Sequence, residues 1–453
     1  MDITPTTLRR RYRAGEIKPS EVMAFVLGRL QDPDQSGVWI STVDPDLAME
    51  AARRMDARMD NIDSLPLYGL MMSIKDCIDL AGVPTTSACP EYSRVPSETS
   101  PAVDLALAAG ALYVGKTNMD QFATGLVGVR TPYGVARNPH NPDYIPGGSS
   151  SGAAVSVATG TSSFAFGTDT GGSGRVPASY CGVTGYKPSP GALSQRGLVY
   201  ACRSFDTVSI YTKTPADALT VFEVVAAHDP DDPFSPPDNF LRGGGPSSRK
   251  PADARIATPD HGQRKFFGNR DTERLFFEAE EIARGVCAGV EVVDYTPFLE
   301  INDFMFFGPY LAERDVSIGD FLRENPDAGE KVVRDLVLGS ATQSAADAYR
   351  ALYRVKEIQR KLEGFWGHFD ALMVPTVGTL YTVEDCQRDP LTPSFNNGYY
   401  TNFANPLGMV ALSVPNGMTS VGVPHGVTFL GPPGSDNFLV EMSEAFLAAR
   451  AST

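Results

Sequence analysis

The sequence lacks the patterns that mark membrane and secreted proteins. It contains no run of about 18 apolar residues, the length that a membrane-spanning helix requires. The first residues, MDITPTTLRRRYRAGEI, contain no apolar segment of the kind found in secretory signal peptides. We therefore expect a cytoplasmic protein that has no membrane partner.

Histidine and cysteine are scarce and scattered, which argues against a metal centre. The 5 histidines and 6 cysteines of the 453-residue chain form no Cys-x-x-Cys pair and no His-Glu-x-x-His motif, the spacings typical of metal sites. Cysteines so widely separated are more typical of buried free thiols in a reducing compartment than of disulfides. The sequence predicts no bound metal, and no motif indicates a cofactor.

Basic residues are outnumbered, which argues against binding to nucleic acid. The chain has 39 Lys and Arg against 54 Asp and Glu, a formal charge of −15. Binding to nucleic acid without sequence preference needs a basic face that displaces counterions from phosphate. The expected partner is a small molecule. The sequence leaves the oligomeric state open, and a homodimer is one option.

What the sequence does contain is the alternating pattern of an α/β protein. Residues 2–60 show the apolar spacing of amphipathic helices. From about residue 66, short apolar runs such as LYGLMMSIKD and ALYVGKT alternate with helical segments. A stretch rich in Pro, Gly and Ser at 230–252 is predicted to be a long surface loop between two halves.

Two Gly-Gly-Ser sequences lie close together, in PGGSSSGAAVSVATG (146–160) and GTDTGGSGRVPASYCG (167–182). A phosphate-binding P-loop needs a lysine after its last glycine, but no lysine lies between Lys116 and Lys187. The dinucleotide fingerprint requires a hydrophobic strand directly before its glycines, where this chain has NPDY. Neither nucleotide-binding motif therefore accounts for the two loops.

The second loop has the composition of a nucleophile with an oxyanion hole. Glycines let backbone N–H groups approach a ligand closely, and a row of such donors stabilises a tetrahedral oxyanion. Ser173, behind two glycines, is the candidate nucleophile. The candidate donors are the N–H groups of Thr170, Gly171, Gly172 and Ser173.

The best candidate for the base is a lysine. None of the histidines has a recognisable triad context, and the Gly-x-Ser-x-Gly motif is absent. Lys75 lies near the end of the apolar run LMMSIK, where burial can lower a lysine pKa by up to about 3–5 units. Lysine variants of the serine triad are a known solution.

These segments together resemble the amidase signature family over nearly the whole chain. The resemblance rests on Lys75 in GLMMSIKD, on GKTNMDQFATG, on GGSSSG, on GTDTGGSGRVPASYCGVTGYKPS and on the late VPT run. It implies an α/β amidase-signature fold, with a central mixed β-sheet flanked by α-helices. It also implies a catalytic set of Ser173, Lys75 and a bridging Ser149 held by a cis peptide after Gly148.

Neighbouring polar residues are expected to have supporting roles. Ser150 and Ser151 are expected to make loop and helix-cap hydrogen bonds, and Asp169 is expected to satisfy buried backbone groups. Lys187 is interpreted as structural. The remaining residues expected to brace the site are Asn118, Asp120 and Gln121.

Later segments resemble the allophanate hydrolases within the family and suggest a small anionic substrate. Arg314 in GPYLAER matches the arginine that contacts the substrate carboxylate there, and the alternative is a surface arginine paired with Glu313 or Asp315. Eight residues earlier those hydrolases have a substrate-contacting Tyr, whereas this chain has Phe306. Arg175 is left with two alternatives, a substrate ligand or the partner of a core carboxylate.

The hypothesis is an amidohydrolase that cleaves the terminal amide of an allophanate-like, ureido or malonamic-type acid and releases ammonia. One rival is a glutaminase like the amidase-type component of the glutamine-dependent tRNA amidotransferases. The other is a non-catalytic binding protein on the same scaffold. We expect a single domain over 1–453 that has three parts: N-terminal helices at about 1–60, a catalytic core at about 61–229, and a substrate-determining second half at about 253–453.

Overall fold

The computed structural model describes residues 1–237, 249–306 and 308–452, with the backbone alone at 303, 305 and 306. The middle of the loop predicted at 230–252 therefore lies outside the described residues. No helix in the described part of the chain combines the length and the apolar character that crossing a bilayer demands.

The described residues form one sheet of eleven strands in the order β1-β3-β2-β4-β6-β5-β10-β11-β9-β7-β8. The strands are β1 (Trp39–Thr42), β2 (Met71–Lys75), β3 (Leu112–Thr117), β4 (Phe164–Asp169), β5 (Thr184–Lys187), β6 (Thr207–Thr212), β7 (Arg255–Pro259), β8 (Gly289–Val293), β9 (Ala371–Pro375), β10 (Val410–Met418) and β11 (Pro424–Gly431).

The sheet is mixed, as predicted. β3, β2 and β4 run parallel at one end, and β9, β7 and β8 run parallel at the other. The strands between them pair antiparallel, and β5 against β10 joins the first half of the chain to the second. Every residue of β2 and of β4 is buried, which is typical of parallel strands covered on both faces.

Helices cover both faces of the sheet. They span Pro5–Arg13, Pro19–Arg29, Pro45–Asp56, Pro101–Ala108, Ser151–Ala158, Val176–Cys181, Pro215–Val225, Arg270–Val286, Thr296–Phe306, Lys331–Gly339, Ala345–Trp366, Val383–Arg388, Thr392–Gly398 and Asp436–Arg450. A further helical segment runs from Ala312 to Glu324 and contains a π-turn at Asp315–Gly319.

The packing of β4 shows how the layers are divided. Phe164 and Phe166 belong to the large core that contains the N-terminal and C-terminal helices. Ala165 packs instead with residues of Ser151–Ala158 and Val176–Cys181. Because successive side chains of a strand point to opposite faces, these two short helices lie on the other side of the sheet, next to the loops that carry the serines.

Two sequence predictions were too simple. Residues 39–42, placed within the N-terminal helices, form the edge strand β1, because this short apolar run pairs antiparallel with β3. The sequence also predicts a helical stretch at about 303–366, which the structure divides into several helices. Its breaks contain Gly308, Pro309 and the segment NPDAG, which are poor helix formers.

Candidate active site

Three parallel strands end at the site and deliver its polar residues together. β2 ends at Lys75, β3 leads into Asn118, and β4 carries Thr168 and ends at Asp169. Parallel neighbours present their carboxyl ends at the same edge, where open α/β sheets bind ligands. The loop containing Ser149 then enters the helix Ser151–Ala158 beside these ends.

Lys75 and Ser149 are joined by a direct hydrogen bond. The Lys75 Nζ lies 2.7 Å from the Ser149 Oγ and 2.7 Å from the Thr168 Oγ1, and all three residues are buried. The peptide bond between Gly148 and Ser149 is cis, as the resemblance implies. The fold thus brings the lysine to the bridging serine.

The environment of Lys75 favours its neutral form. Burial disfavours the ammonium ion and lowers the pKa of Lys75 from its usual value, although nearby acidic groups oppose this shift. Those groups are Cys77, Asp120, Asp206 and Asp169. A neutral lysine amine in contact with a serine hydroxyl is able to accept its proton.

The loop of Ser149 is held by Asp120. Its Oδ2 accepts hydrogen bonds from the backbone N–H groups of Val127 and Gly128, and its own N–H donates to the Ser149 carbonyl over 3.0 Å. A Cβ on Gly148 would overlap the Asp120 carboxylate, so only glycine fits there. The bracing role expected of Asp120 is present.

Asn118 and Gln121 also brace the site. The Asn118 side chain bonds to the carbonyls of Gly37 and Gly134 and to the Thr131 hydroxyl, and so fixes the loop that follows β3. The Gln121 Nε2 donates to the Ala88 carbonyl over 2.9 Å. Both side chains bind neighbouring loops and leave the centre of the site to Lys75 and the serines.

The serines after Ser149 differ from expectation in one respect. The Ser150 hydroxyl donates to the Thr168 carbonyl over 3.0 Å and makes no cap bond, although it occupies the N-cap position of the helix. The Ser151 hydroxyl lies 3.4 Å from the Asn118 carbonyl. Ser150 therefore joins its loop to the end of β4, which the prediction of a helix cap missed.

The turn that carries Ser173 is built on Asp169 and Arg175. The two side chains form a fully buried bidentate pair with both N–O distances at 2.9 Å, and the Arg175 Nη2 also donates to the Thr401 carbonyl over 3.0 Å. Although burial opposes ionisation, the Arg175 guanidinium keeps the pKa of Asp169 below its usual range. This geometry favours the alternative in which Arg175 is the partner of a core carboxylate, so we do not assign it a role in substrate binding.

One of the predicted oxyanion donors already donates a hydrogen bond to another residue. The Gly172 N–H donates to the Asp169 Oδ1 over 2.8 Å, so it is not available to an oxyanion in this structure. The N–H groups of Gly171 and Ser173 have no acceptor within the described part of the chain. Thr170 follows β4 directly and its hydroxyl bonds to Asp206, whose pKa burial raises to about 6.

The candidate nucleophile has an anchored backbone and an unbonded hydroxyl. Ser173 is 2% exposed, and its carbonyl accepts a hydrogen bond from the Tyr211 hydroxyl over 2.8 Å. Its own hydroxyl has no hydrogen-bond partner among residues 1–237, 249–306 and 308–452. Catalytic hydrogen bonds often tighten only when substrate is bound, so this arrangement is compatible with a nucleophile.

Arg314 is not the surface residue of the second alternative. It is 5% exposed, its Nε lies 3.3 Å from the Thr124 Oγ1, and its buried Nη1 has no partner in the described structure. The two carboxylates considered as its partners are engaged elsewhere, Glu313 with the Ser204 N–H and Asp315 with Arg323. A buried guanidinium with an unpaired N–H is costly unless a ligand completes it.

Two further predictions have different outcomes. Phe306 is the last residue of the helix Thr296–Phe306, and its side chain is outside the described part of the structure, so its substrate role stays a prediction. Lys187 is fully buried and donates to the Met409 carbonyl over 2.6 Å, and burial lowers its pKa to about 7. This placement agrees with a structural role.

Metal binding finds no support in the described residues, where no three His, Cys, Asp or Glu side chains are grouped closely enough to hold an ion. The six cysteines are unpaired thiols, and five of them are buried. The sequence prediction of free buried thiols therefore holds for all but Cys287.

Sequence reasoning missed several residues that hold Lys75 and the turn around Ser173. Thr168 accepts a hydrogen bond from Lys75, and the turn is bonded by Tyr211, Thr401 and Asn405. Tyr211 and Thr168 gave no signal, because each is an ordinary strand residue in the sequence. Thr401 and Asn405 lie in YYTNFANPLG, within the second half of the chain that was predicted to determine the substrate.

Comparison with known proteins identifies the family of this chain. A profile of the Amidase family matches residues 21–440. The chain therefore belongs to the Amidase family, a class of amide-hydrolysing enzymes.

The similar proteins include two different kinds of enzyme. Urea amidolyase of Saccharomyces cerevisiae is 36% identical over 380 residues, which is 83% of this chain and 20% of the relative. A glutamyl-tRNA(Gln) amidotransferase component of Desulforapulum autotrophicum is 31% identical over 450 residues, 91% of this chain and 90% of the relative. This chain thus spans about a fifth of the urea amidolyase.

Among solved structures, the allophanate hydrolase of Kluyveromyces lactis superposes with a TM-score of 0.89 at 34% identity. The match covers 96% of this chain and 71% of that one. The mixed sheet and flanking helices predicted from the sequence are therefore those of amidase structures.

Proposed function

We propose that this protein hydrolyses the terminal amide of a small anionic substrate and releases ammonia. The observation that carries the proposal is the bond of 2.7 Å between the Nζ of a fully buried lysine and the hydroxyl of Ser149, beside a glycine-rich turn that presents Ser173. A lysine in such a place serves as a base because burial lowers its pKa.

In the proposed mechanism Ser173 is the nucleophile and Ser149 passes protons between it and Lys75. The Ser173 Oγ attacks the amide carbon while its proton moves through the Ser149 hydroxyl to the neutral Lys75 amine. The tetrahedral intermediate then collapses, the C–N bond breaks, and the proton returns through Ser149 to the leaving nitrogen. Ammonia departs and an acyl-enzyme ester remains on Ser173.

Water completes the cycle by the same route. It gives a proton through Ser149 to Lys75 as it attacks the ester, and the relay returns that proton to the Ser173 oxygen when the acid leaves. The N–H groups of Thr170, Gly171 and Ser173 would stabilise both tetrahedral oxyanions. Each such donor is typically worth about 10²–10³ in rate.

Arg314 is the proposed site for the substrate carboxylate. Its buried Nη1, which has no partner in the described part of the chain, is a charge-assisted donor, and an arginine fork matches a carboxylate bidentately. The similarity to an allophanate hydrolase structure supports an allophanate-like acid. Phe306, which brings no hydroxyl, leaves ureido and malonamic-type acids as alternatives.

A second candidate function is the glutaminase reaction of a glutamyl-tRNA(Gln) amidotransferase. It is supported by the match to a component of such an enzyme over 90% of that relative's length. This function would need a partner that binds tRNA, since the chain itself carries a net charge of −15. Glutaminase activity that depends on added partner proteins would favour it over the first proposal.

The test is ammonia release from a panel of allophanate, biuret, malonamate, urea, glutamine and neutral amides. We expect turnover of a small anionic amide, and its loss in Ser173→Ala and in Lys75→Ala, because nucleophile and base act as one unit. Ser149→Ala should be severe but incomplete, since water can partly replace the hydroxyl. Ser340→Ala is the matched control, because Ser340 is also buried and its hydroxyl donates to the Val337 carbonyl.

Wild-type rates in Ser173→Ala or Lys75→Ala would overturn the assignment of the catalytic residues. Turnover of neutral amides alone would refute the anionic substrate while leaving the chemistry intact.

A further inference from the structure

The peptide unit between Gly171 and Gly172 is fixed at both of its ends. The Thr401 hydroxyl donates to the Gly171 carbonyl over 2.8 Å, and the Gly172 N–H donates to the Asp169 carboxylate over 2.8 Å. Both the carbonyl oxygen and the N–H of this one peptide group are therefore hydrogen-bonded.

This fixed plane lies between the N–H groups of Gly171 and Ser173, neither of which has an acceptor in the described structure. The torsions on either side of it set the directions of both N–H groups. Glycine backbones are otherwise the most conformationally free. Because two successive glycines are flexible, these N–H groups would not stay aligned unless another part of the chain held the glycines in place.

Thr401 is well placed to hold them because it is itself immobilised. It is fully buried, its N–H donates to the Gly398 carbonyl over 3.0 Å, and its carbonyl accepts from Arg175 over 3.0 Å. Gly172 has a φ of +130°, and a Cβ there would overlap the Thr401 side chain. The threonine and the glycine fit each other closely.

We infer that Thr401 is a positioning residue for the oxyanion hole, acting through the Gly171–Gly172 peptide rather than by touching the substrate. This inference rests on the proposed function, because it assumes that Ser173 forms a tetrahedral intermediate. Preorganised donors stabilise the transition state more than the ground state. Loss of the bond from Thr401 should therefore lower kcat and leave KM nearly unchanged.

The test compares two substitutions at this position. Thr401→Val keeps the shape and removes the hydroxyl, and we expect kcat to fall by about 10- to 100-fold with KM within about twofold of wild type. Thr401→Ser restores the hydroxyl, and kcat should return to within about threefold of wild type. Equal kcat values in wild type and Thr401→Val would overturn the inference.

A matched control separates positioning from stability. Thr272 is also fully buried, and its hydroxyl donates to the Gly378 carbonyl over 2.7 Å, away from the turn of Ser173. Thr272→Val removes the same type of bond, so any loss of melting temperature should be similar in the two variants. The loss of kcat should occur in Thr401→Val alone, and an equal loss in Thr272→Val would overturn the positioning role.

Labelling by a fluorophosphonate, followed by intact mass and peptide mapping, distinguishes the two proposals. Labelling of wild-type Ser173 supports the nucleophile, and slower labelling of Thr401→Val supports the positioning role. If wild type is labelled and Thr401→Val reacts at the same rate, the positioning inference fails while the proposed function stands. If wild-type Ser173 does not react, the proposed function fails and the inference fails with it.

Discussion

A single arginine shows how burial changes the interpretation of a residue. In sequence, Arg314 stands between Glu313 and Asp315 and has two ready-made partners on its own helix. In the structure both carboxylates bond elsewhere, and Arg314 is buried against Thr124 with an Nη1 that has no partner among the described residues. A buried cation without a carboxylate partner is expensive to maintain, which is why we propose a ligand for it.

Arg314→Ala should therefore reduce kcat/KM for an anionic substrate by about 10- to 100-fold, the value of one charge-assisted hydrogen bond. A neutral amide of similar size should be little affected. Arg314→Lys should recover only part of the loss, because an ammonium cannot form the bidentate fork. Steady-state kinetics on paired charged and neutral substrates measure both effects.

Arg323→Ala is the control for this prediction, since Arg323 is a partly exposed arginine on the same helical segment that pairs with Asp315 and Asp320. Surface pairs of this kind contribute little, and kinetics should stay at wild-type values. Equal losses on charged and neutral substrates in Arg314→Ala would indicate damage to the fold instead of a lost ligand.

At the scale of secondary structure, strand β2 sets the environment of the proposed base. All five of its residues are buried, and the strand places Lys75 at its end, fully inside the protein. Burial lowers the pKa of Lys75 from 10.5, and the acidic groups around it limit the shift. The fold, and not a neighbouring histidine, thus supplies a lysine that can be neutral.

The pH dependence of kcat follows from the lowered pKa of Lys75. Lys75 must be neutral to accept a proton, so kcat should rise with pH as the ammonium form disappears and should level off below the usual lysine pKa. Carboxylate substrates are already ionised above about pH 5 and do not contribute to the rise. Initial rates of ammonia release across a buffer series measure the profile.

Asp206→Asn sharpens this prediction, because the Asp206 carboxylate is one of the groups that raise the Lys75 pKa. Its removal should move the rise to lower pH, whatever it does to the maximal rate. A wild-type profile already maximal at about pH 5 and flat above it would exclude lysine as the base.

The elements also show which parts of the site a sequence can predict. Lys75 and Ser173 stand in short segments next to strand ends, so local sequence was enough to nominate them, whereas Ser149 was nominated by the resemblance to the amidase signature family. The bond from Thr401 to Gly171 joins residues 230 positions apart, and no local pattern reports such a contact. The role of Arg175 was open in the sequence because an arginine two residues past a serine has no fixed partner until the turn is folded.

At the scale of the whole molecule, one sheet runs through both halves of the chain. β5 from the first half pairs with β10 from the second, with Tyr186 opposite Leu412. The turn of Ser173 is held by Thr401 and Asn405 from the second half. The two halves therefore depend on each other for backbone pairing and for the geometry of the site.

Such a sheet predicts a single cooperative unfolding transition, which the two tryptophans can report. Trp39 lies in β1 and Trp366 ends the long helix of the second half, so each half has one half-buried reporter. In Trp39→Phe and in Trp366→Phe, the midpoint in urea followed by the remaining tryptophan's fluorescence should equal the midpoint followed by far-ultraviolet circular dichroism. A fluorescence midpoint that departs from the dichroism midpoint in either variant would show that the halves unfold independently.

The bonds from Thr401 and Asn405 to the turn of Ser173 also have a consequence for the order of synthesis. Lys75, Ser149 and Ser173 leave the ribosome long before residues 401–405. Until that late segment emerges, the glycine-rich turn has neither the hydroxyl that fixes Gly171 nor the amide that bonds to the Asp169 carbonyl. A nascent chain would thus carry all three proposed catalytic side chains before the turn of Ser173 is fixed, and activity would be possible only near the end of translation.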